Sequence, residues 1–354
     1  MKPLRVLVVG CGNMGTSHAL SYHASPHFEV AGVVSRGKKS RTALAARLGG
    51  CPEFADYREA ILAVRPDAVC VATYPETHAE IARISLERGC HVFVEKPIAT
   101  NMKDAEAVVS VAKKKGLALV VGYILQQHPA WNLFVLRARQ LGKPLVMRMN
   151  LNQQSCGAEW DTHKKIMGSL SPIADCGVHY IDVMCRMTQS KPVRVHAIGA
   201  LLTNELPADR INYGHLHVVF EDGSVGWYEA GWGPMMSETA AFVKDVVGPL
   251  GSATIIGNKE ASTADIDAHS KTNSIRLHFS ELGADRRFAK NDEILNTTCE
   301  PDHQRLCDLE QEFLLRAIRG ESDLAEHLES ALGSLRVVLA AERSFREGRS
   351  IELT

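Results

Sequence analysis

The sequence predicts an α/β protein in two domains, a doubly wound parallel sheet followed by an α+β domain with a large, mostly antiparallel open sheet. Short apolar strands alternate with helical segments over residues 1–122, a pattern typical of parallel sheets with helices on both faces. From residue 123 onward, longer strands cluster and two long helices close the chain. The 354 residues also exceed the roughly 100–200 of one domain. We therefore predict domains over 1–122 and 123–354.

The composition narrows the class of protein. Apolar residues make up 45% of the chain and the net charge is −1, so neither nucleic acid nor an anionic membrane is an expected partner. No apolar run reaches the ~20 residues that cross a bilayer, and the N-terminus enters a strand without a signal-peptide cleavage region. The nine cysteines are scattered and none forms a C-x-x-C pair. We expect a cytoplasmic protein with reduced thiols.

A glycine-rich loop follows the first strand. The apolar run 4–9 leads into a G-x-G-x-x-G motif that opens a helix. Gly10 permits a tight turn, Gly12 lets the backbone approach a pyrophosphate, and Gly15 lets the helix pack on the strand. The free N–H groups at the helix start can then bind phosphates. A plain tight turn is the alternative, but the strand–loop–helix context favours a Rossmann dinucleotide-binding domain. The predicted cofactor contacts of this loop are Gly10, Gly12, Asn13, Met14 and Gly15.

The second strand ends in cations where an NAD-binding domain carries a carboxylate. In such domains an Asp or Glu about 20 residues past the glycines holds the ribose hydroxyls. Here the segment after residue 34 reads Ser35-Arg36-Gly37-Lys38-Lys39. An Arg can stack on adenine and pair with a 2′-phosphate. A solvated basic turn is the alternative. We favour NADP over NAD, with Ser35 and Arg36 as contacts.

Another buried strand, 91–94, ends in Glu95-Lys96-Pro97. The carboxyl ends of strands in an open parallel sheet are where ligands bind. A Lys held there by a rigid strand can be partly desolvated and can act on a substrate oxygen. Taken alone, the motif fits a surface Glu–Lys pair better. Two other motifs together reverse that preference: the glycine loop predicts a nicotinamide in the same cleft, and Asp175 and His179 supply the proton chemistry that a Lys alone would lack.

Residues 172–187 predict a helix with polar groups on one face. Asp175, His179, Asp182 and Arg186 follow at steps of four, three and four. Such a stripe is usually a solvated face. Asp175 and His179, however, lie near the helix start, which can point into a cleft. A His is also the side chain best suited to proton exchange near neutral pH.

These motifs together resemble the glucose-fructose oxidoreductase / inositol dehydrogenase (Gfo/Idh/MocA) family over essentially the whole chain. The resemblance rests on the glycine loop, the Thr73…His78 segment, Glu95-Lys96-Pro97, Asp175-x-Gly177-x-His179-x-x-Asp182 and the closing stretch 344–348. It implies a Rossmann domain followed by an α/β domain with a large open sheet. It also implies an NAD(P)-dependent dehydrogenase or reductase of sugars, cyclitols or related polyols.

The resemblance further implies residue roles. Lys96, Asp175 and His179 would form the catalytic group, and the Lys96–Pro97 peptide is a candidate for a cis bond. Further cofactor contacts would be Thr73, His78, Glu95, Lys96 and Pro97.

The chain departs from the family pattern between residues 160 and 172. Many members carry three glycines shortly before the catalytic Asp, where this chain has 168–172 as Gly-Ser-Leu-Ser-Pro. Many also carry Trp-Arg where this chain has Trp160-Asp161. Because these segments border the substrate in the family, the sequence does not identify the sugar. Candidate substrate contacts are Gln126, His128, Trp160 and His163.

The predicted function is hydride transfer between NAD(P) and a secondary alcohol or ketone of a sugar or polyol. One alternative is an NAD-dependent glycosidase that works by transient oxidation. Another is a non-enzymatic dinucleotide-binding sensor, which would be expected to lose the catalytic Lys or His. His215 and His217 could share a strand face, but no third ligand is evident, so no metal site is predicted. The open face of the second sheet predicts a homodimer or homotetramer.

Overall fold

The computed structural model describes residues 2–237, 242–256 and 270–353. The chain packs into two compact units, which are described one at a time. Unit one contains Met1–Ile124 and Gln304–Leu332. Unit two contains Leu125–His303 and Gly333–Thr354.

Strands and helices alternate through the first part of unit one. The elements are β1 (Leu4–Val9), α1 (Asn13–Ala24), β2 (Phe28–Val34), α2 (Lys38–Arg47), β3 (Glu53–Phe54), α3 (Tyr57–Val64), β4 (Ala68–Val71), α4 (Pro75–Glu87), β5 (His91–Val94), α5 (Met102–Lys115) and β6 (Leu119–Val121). Local chemistry sets several ends. The Asn101 side chain accepts from the Asp104 N–H at 2.9 Å to cap α5, and Gly116 ends it with φ +64°.

The six strands of unit one form a parallel sheet in the order β3-β2-β1-β4-β5-β6. This order reverses direction between β1 and β4, and ligands of such sheets bind at that switch point. The segments that follow β1, β4 and β5 therefore share the ligand-binding edge. They are the glycine loop, the residues from Thr73 and the Glu95-Lys96-Pro97 motif.

Both faces of this sheet are covered, which explains why its strands read as continuous apolar runs. One core cluster joins Val6 and Val8 of β1 with Ala19 and Tyr22 of α1. Leu314, far along the chain, belongs to the same cluster. A late helix thus completes the core of the first unit.

Unit two and the closing elements make up the rest. They are α6 (Ile124–Gln127), α7 (Pro129–Arg139), β7 (Val146–Gln154), α8 (Gly157–Met167), α9 (Pro172–Asp175), α10 (Gly177–Thr188), β8 (Pro192–Ala200), β9 (Tyr213–Phe220), β10 (Val225–Gly233), β11 (Lys244–Gly248), β12 (Gly251–Ile256), β13 (Ser274–Phe279), β14 (Glu293–Asn296), α11 (His303–Ile318), α12 (Ala325–Glu347) and β15 (Ile351–Glu352).

Nine strands of unit two form one sheet in the order β14-β13-β12-β11-β7-β10-β9-β8-β15. The β7–β10 pair is parallel and the other pairs are antiparallel. Buried residues alternate with mostly half-buried ones along β9 and β12, as expected when helices cover one face of a sheet. The predicted fold class, a parallel first sheet and a mostly antiparallel second one, is confirmed.

Two features differ from the sequence-based expectation. Residues 304–332 pack with unit one, whereas the predicted boundary assigned everything after 122 to the second domain. An amphipathic helix does not reveal in its sequence which sheet it covers. The helix predicted over 172–187 is interrupted once, at Cys176, where the hydrogen-bond pattern breaks although φ and ψ stay right-handed helical (−89° and −28°), so it is described as α9 and α10.

Candidate active site

Two glycines of the loop after β1 are required by packing within unit one. Gly10 has φ +110°, and a Cβ there would lie 2.0 Å from the Ala72 carbonyl oxygen. A Cβ on Gly15 would lie 2.0 Å from the Gly10 carbonyl oxygen. These contacts hold the start of α1 tightly against the ends of β1 and β4. Any larger residue would displace backbone.

Gly12 differs, because a Cβ there would meet no protein atom within 4 Å. Gly12 is the N-cap of α1 and has no side-chain cap, so the first N–H groups of the helix face open space. Asn13 is exposed and Met14 half-buried at the same helix start. A dinucleotide pyrophosphate fits this cradle, since it needs backbone access and a helix N-terminus.

Arg41 is a further cation near the end of β2 that the sequence analysis did not single out. Arg41 Nη1 donates to the carbonyl oxygens of Ser35 at 2.9 Å and Arg36 at 3.3 Å, and its Nε lies 3.6 Å from Glu53. The Ser35 and Ser40 hydroxyls are 3.4 Å apart, while Arg36 itself is exposed. The spacing from 36 to 41, just over one helical turn, was the signal available in the sequence. Because Glu53 lies beside Arg41, the two charges offset each other, and the exposed cations of this segment remain Arg36 and its lysine neighbours.

His78 ties two of the ligand-binding segments together. Its Nδ1 lies 2.8 Å from the Pro97 carbonyl oxygen and its Nε2 lies 3.0 Å from that of Thr73. The Thr73 and Thr77 hydroxyls are 2.7 Å apart. His78 is 1% exposed. In the structure this predicted cofactor contact links the segments after β4 and β5.

The Glu95-Lys96-Pro97 segment is held from inside unit one. Glu95 is buried and accepts from the Lys96 backbone N–H at 3.2 Å. Burial alone would raise the pKa of Glu95, but the hydrogen bond from His18 and the nearby charge of Lys96 lower it overall. Lys96 is half-buried and the Lys96–Pro97 peptide is cis. The half-buried Lys96 side chain therefore comes directly after the Glu95 carboxylate, which hydrogen bonds hold in place.

The second motif, which contains Asp175 and His179, lies in unit two, where α9 ends and α10 begins on either side of Cys176. Ser171 caps α9 by accepting from the Ala174 N–H at 3.3 Å, and Asp175 ends that helix while 5% exposed. A Cβ on Gly177 would lie 3.2 Å from both the Tyr228 ring and Val338, so only glycine lets α10 begin this close to β10. His179 is half-buried in the first turn of α10.

The polar stripe continuing along α10 is not a solvated face. Asp182 is fully buried and accepts from the Gln126 amide at 2.9 Å. Arg186 donates to the Asn132 side-chain oxygen at 2.6 Å. These bonds join α10 to α6 and α7, so Asp182 and Arg186 hold the helix that carries His179.

Comparison with known families follows the same division of the chain. Residues 4–123 match the family described as "Oxidoreductase family, NAD-binding Rossmann fold", and residues 135–254 match "GFO/IDH/MocA C-terminal domain". The two matches together span well over half of the sequence. The chain belongs to the Gfo/Idh/MocA family. The predicted family is thus confirmed, and with it an oxidoreductase that has a dinucleotide-binding Rossmann domain.

Similar Gfo/Idh/MocA proteins act on sugars and cyclitols. The UDP-N-acetylglucosamine 3-dehydrogenase of Acidithiobacillus ferrooxidans is 29% identical over 196 residues, which is 55% of this chain and 58% of that protein. The scyllo-inositol 2-dehydrogenase (NAD(+)) of Bacillus subtilis is 24% identical, covering 99% of this chain and 96% of that protein. A solved structure of UDP-N-acetylglucosamine 3-dehydrogenase GnnA from Acidithiobacillus ferrooxidans superposes with a TM-score of 0.76 at 22% identity, covering 98% of this chain and 99% of that one.

In the structure, the four predicted substrate contacts form hydrogen bonds, a helix cap or a ring contact with other residues of this chain. The Gln126 amide is bonded to Asp182, and His128 is fully buried, capping α7 through Nδ1. Trp160 is 5% exposed and its indole donates to Glu205 at 3.0 Å. The His163 ring stacks on Trp232 with centroids 4.4 Å apart. Their role as substrate contacts stays a prediction.

Proposed function

We propose that this protein is an NADP-preferring dehydrogenase or reductase acting on a secondary alcohol or ketone of a sugar, cyclitol or related polyol. One observation carries the proposal. The glycine loop, Lys96, Asp175 and His179 occur in motifs that resemble those of the family: Lys96 follows β5, Asp175 ends α9 and His179 lies in the first turn of α10. The named activities of the relatives support the same substrate class.

Each residue has a proposed task. Bound NADP would supply the hydride acceptor for oxidation or the donor for reduction. His179 would take the hydroxyl proton on its imidazole during oxidation and return it during reduction. Lys96 would hydrogen-bond the same oxygen and stabilise developing alkoxide charge. Asp175 would tune the protonation of these groups.

A substrate screen tests the reaction class. We expect at least one polyol or keto-sugar to change the absorbance of the reduced nicotinamide when the protein is offered NADP and NAD in parallel. Hydrolysis of an aryl glycoside without net cofactor turnover would instead indicate the glycosidase reaction. Tight dinucleotide binding with no turnover of any panel member would indicate a sensor.

The same assay tests the cofactor preference with two variants. In the proposal, Arg36 and Arg41 bind the adenosine 2′-phosphate, and each charged hydrogen bond contributes about 1.5–3 kcal/mol. Arg36→Ala and Arg41→Ala should therefore each lower kcat/KM for NADP about 10- to 100-fold and leave NAD nearly unchanged. Arg47→Ala, an exposed arginine at the far end of α2, is the control. Equal losses with both cofactors would contradict a 2′-phosphate site.

We also propose a cytoplasmic homodimer or homotetramer that associates through the sheet of unit two. Val225, Val146 and Val247 pair across β10, β7 and β11 and are 39%, 44% and 40% exposed. Such an apolar row in mid-sheet is typical of a protein interface. No described helix is long and apolar enough to cross a membrane. Light scattering should give a multiple of 38.8 kDa, and Val225→Lys should shift it toward the monomer.

A further inference from the structure

Directly behind the Glu95–Lys96 segment lies a fully buried polar cluster in unit one. Its members come from three distant parts of the sequence. His18 belongs to α1, Glu95 follows β5, and Glu310 and Gln311 belong to α11; all four are at most 7% exposed. Buried polar groups are costly unless they are paired, so this cluster calls for an explanation beyond packing.

The hydrogen bonds of the cluster have a defined direction. The Gln311 amide nitrogen lies 3.0 Å from His18 Nδ1, and an amide N–H can only donate. Nδ1 therefore accepts, and Nε2 carries the proton. Nε2 lies 2.7 Å from Glu95 Oε1, so His18 donates to the carboxylate. Gln311 thus selects the His18 tautomer that holds Glu95.

Glu95 is clamped on its other sides as well. Its Oε2 accepts from the Lys96 N–H at 3.2 Å, and the Gly122 backbone approaches so closely that a Cβ there would lie 3.3 Å from the carboxyl group. The Phe93 ring lies 4.6 Å from the His18 ring. These contacts hold His18 and Glu95 against their neighbours, and Lys96 is the next residue along the chain.

The charge balance of the cluster favours one anion. Titratable groups around Glu95 are Cys70, His78, Lys96, His18, Cys307 and Glu310. Burial and the charge of Glu95 raise the pKa of Glu310 well above its ordinary value, so Glu310 stays protonated while Glu95 is ionised. His18 also lies near Cys307 and Glu310, a possible metal-ligand set, but both its ring nitrogens are already hydrogen bonded.

We propose that His18 is a positioning residue for Lys96, acting through the Glu95 carboxylate with its tautomer set by Gln311. The inference rests on the proposed role of Lys96. It differs from that role because His18 contacts neither substrate nor cofactor in the proposal. Its effect is to keep Glu95 ionised and the Lys96 backbone fixed.

Two substitutions of His18 test the inference: glutamine keeps a hydrogen-bond donor, and leucine is apolar and of similar size. His18→Leu should lower kcat at least 10-fold with little change in the KM for NADP. It should also shift the acid limb of the kcat/KM–pH profile upward, because Glu95 loses the bond that keeps it ionised and its protonation then adds to that of His179. His18→Gln, whose amide can still donate to Glu95, should recover part of kcat and return the limb toward wild type. Gln311→Met should change both in the same direction as His18→Leu, by less.

His327 supplies the matched control. It is a buried histidine of the same unit whose Nε2 accepts from the Val121 N–H at 2.9 Å. His327→Leu should lower stability without moving the acid limb. If His18→Leu behaves like His327→Leu, or if His18→Gln recovers nothing, the positioning role is wrong. If Lys96→Met itself retains wild-type kcat, the proposed function fails first, whatever the His18 variants do.

Discussion

Lys96→Met is expected to lower kcat on an active polyol by about 10²–10³-fold, the range for loss of a group that stabilises developing oxyanion charge. The methionine side chain keeps the length and apolar stem of lysine but removes the ammonium. NADP affinity should fall far less than kcat, because Lys96 is one of many predicted cofactor contacts and the glycine loop and the cations after β2 remain intact. The loss should therefore appear in kcat and not in cofactor binding.

His179→Ala should give a loss of similar size with a different pH signature. Removing a proton-accepting group lowers the rate about 10²–10⁴-fold and removes the limb of the pH profile that the group causes. Steady-state kinetics from pH 5 to 10 and fluorescence titration with NADPH separate these effects. Lys103→Met, an exposed lysine of α5, is the control and should match wild type. Near wild-type kcat/KM in either Lys96→Met or His179→Ala would show that its assigned role is wrong.

The sequence predicted five of the six strands of the first sheet because each of those five carries its own local evidence, whereas the two-residue β3 was not predicted. Short apolar runs end at recognisable turn residues, and the helices between them have caps such as Asp56, which accepts from the Arg58 N–H at 2.8 Å. The positions of the glycine loop and of Glu95-Lys96-Pro97 at strand ends followed directly. In this parallel sheet, the sequence pattern of those strands agrees with the place that each strand takes in the fold.

The second sheet was harder because its strands pair over long distances. β11 lay within 233–300, the stretch with the weakest pattern, yet it pairs with β7, about a hundred residues earlier. No local pattern predicted β11, β14 or β15. Part of the stretch, 238–241 and 257–269, lies outside the described residues. Strand periodicity shows which residues alternate but not which strand each one meets.

Single residues of the candidate site illustrate the same point: the local sequence pattern does not show which distant residues they contact. Motif spacing identified Lys96, Asp175 and His179 as candidates. It did not show that Asp182 and Arg186 are tied to α6 and α7, since those bonds depend on packing. The His18–Glu95 bond joins residues 77 positions apart, and the Gln311–His18 bond joins residues 293 apart. Buried polar partners of this kind have no local sequence pattern.

Lys244 is the most unexpected residue of unit two. It begins β11 and is 1% exposed. Its Nζ donates to the Asn150 carbonyl oxygen and lies 4.8 Å and 4.5 Å from the centroids of the Tyr180 and Phe242 rings. Among the described residues, no carboxylate forms an ion pair with it. Burial lowers the pKa of Lys244 to about 7, although the charge of Glu229 partly opposes this.

The lowered pKa makes the contribution of Lys244 to stability depend on pH. Between about pH 7 and 10.5 the unfolded chain binds a proton that the folded protein has lost, so stability rises with pH across this window. Below about pH 7 both states are protonated, and the cost of burying the charge is complete. At about 1.4 kcal/mol per pKa unit, that cost is at most about 5 kcal/mol.

Lys244→Met should therefore stabilise the protein at pH 6 and have little effect at pH 9. Loss of the bonds to Asn150 offsets about 1–2 kcal/mol, which leaves a net gain of about 2–4 kcal/mol at pH 6 and a shift of the apparent Tm of roughly 5 °C or more. Scanning calorimetry at both pH values measures the difference, with Lys103→Met as the exposed control. An equal shift at pH 6 and pH 9 would mean that the gain comes from apolar packing alone. A lower Tm at pH 6 would mean that the bonds to Asn150 and the aromatic rings outweigh the cost of burying the charge.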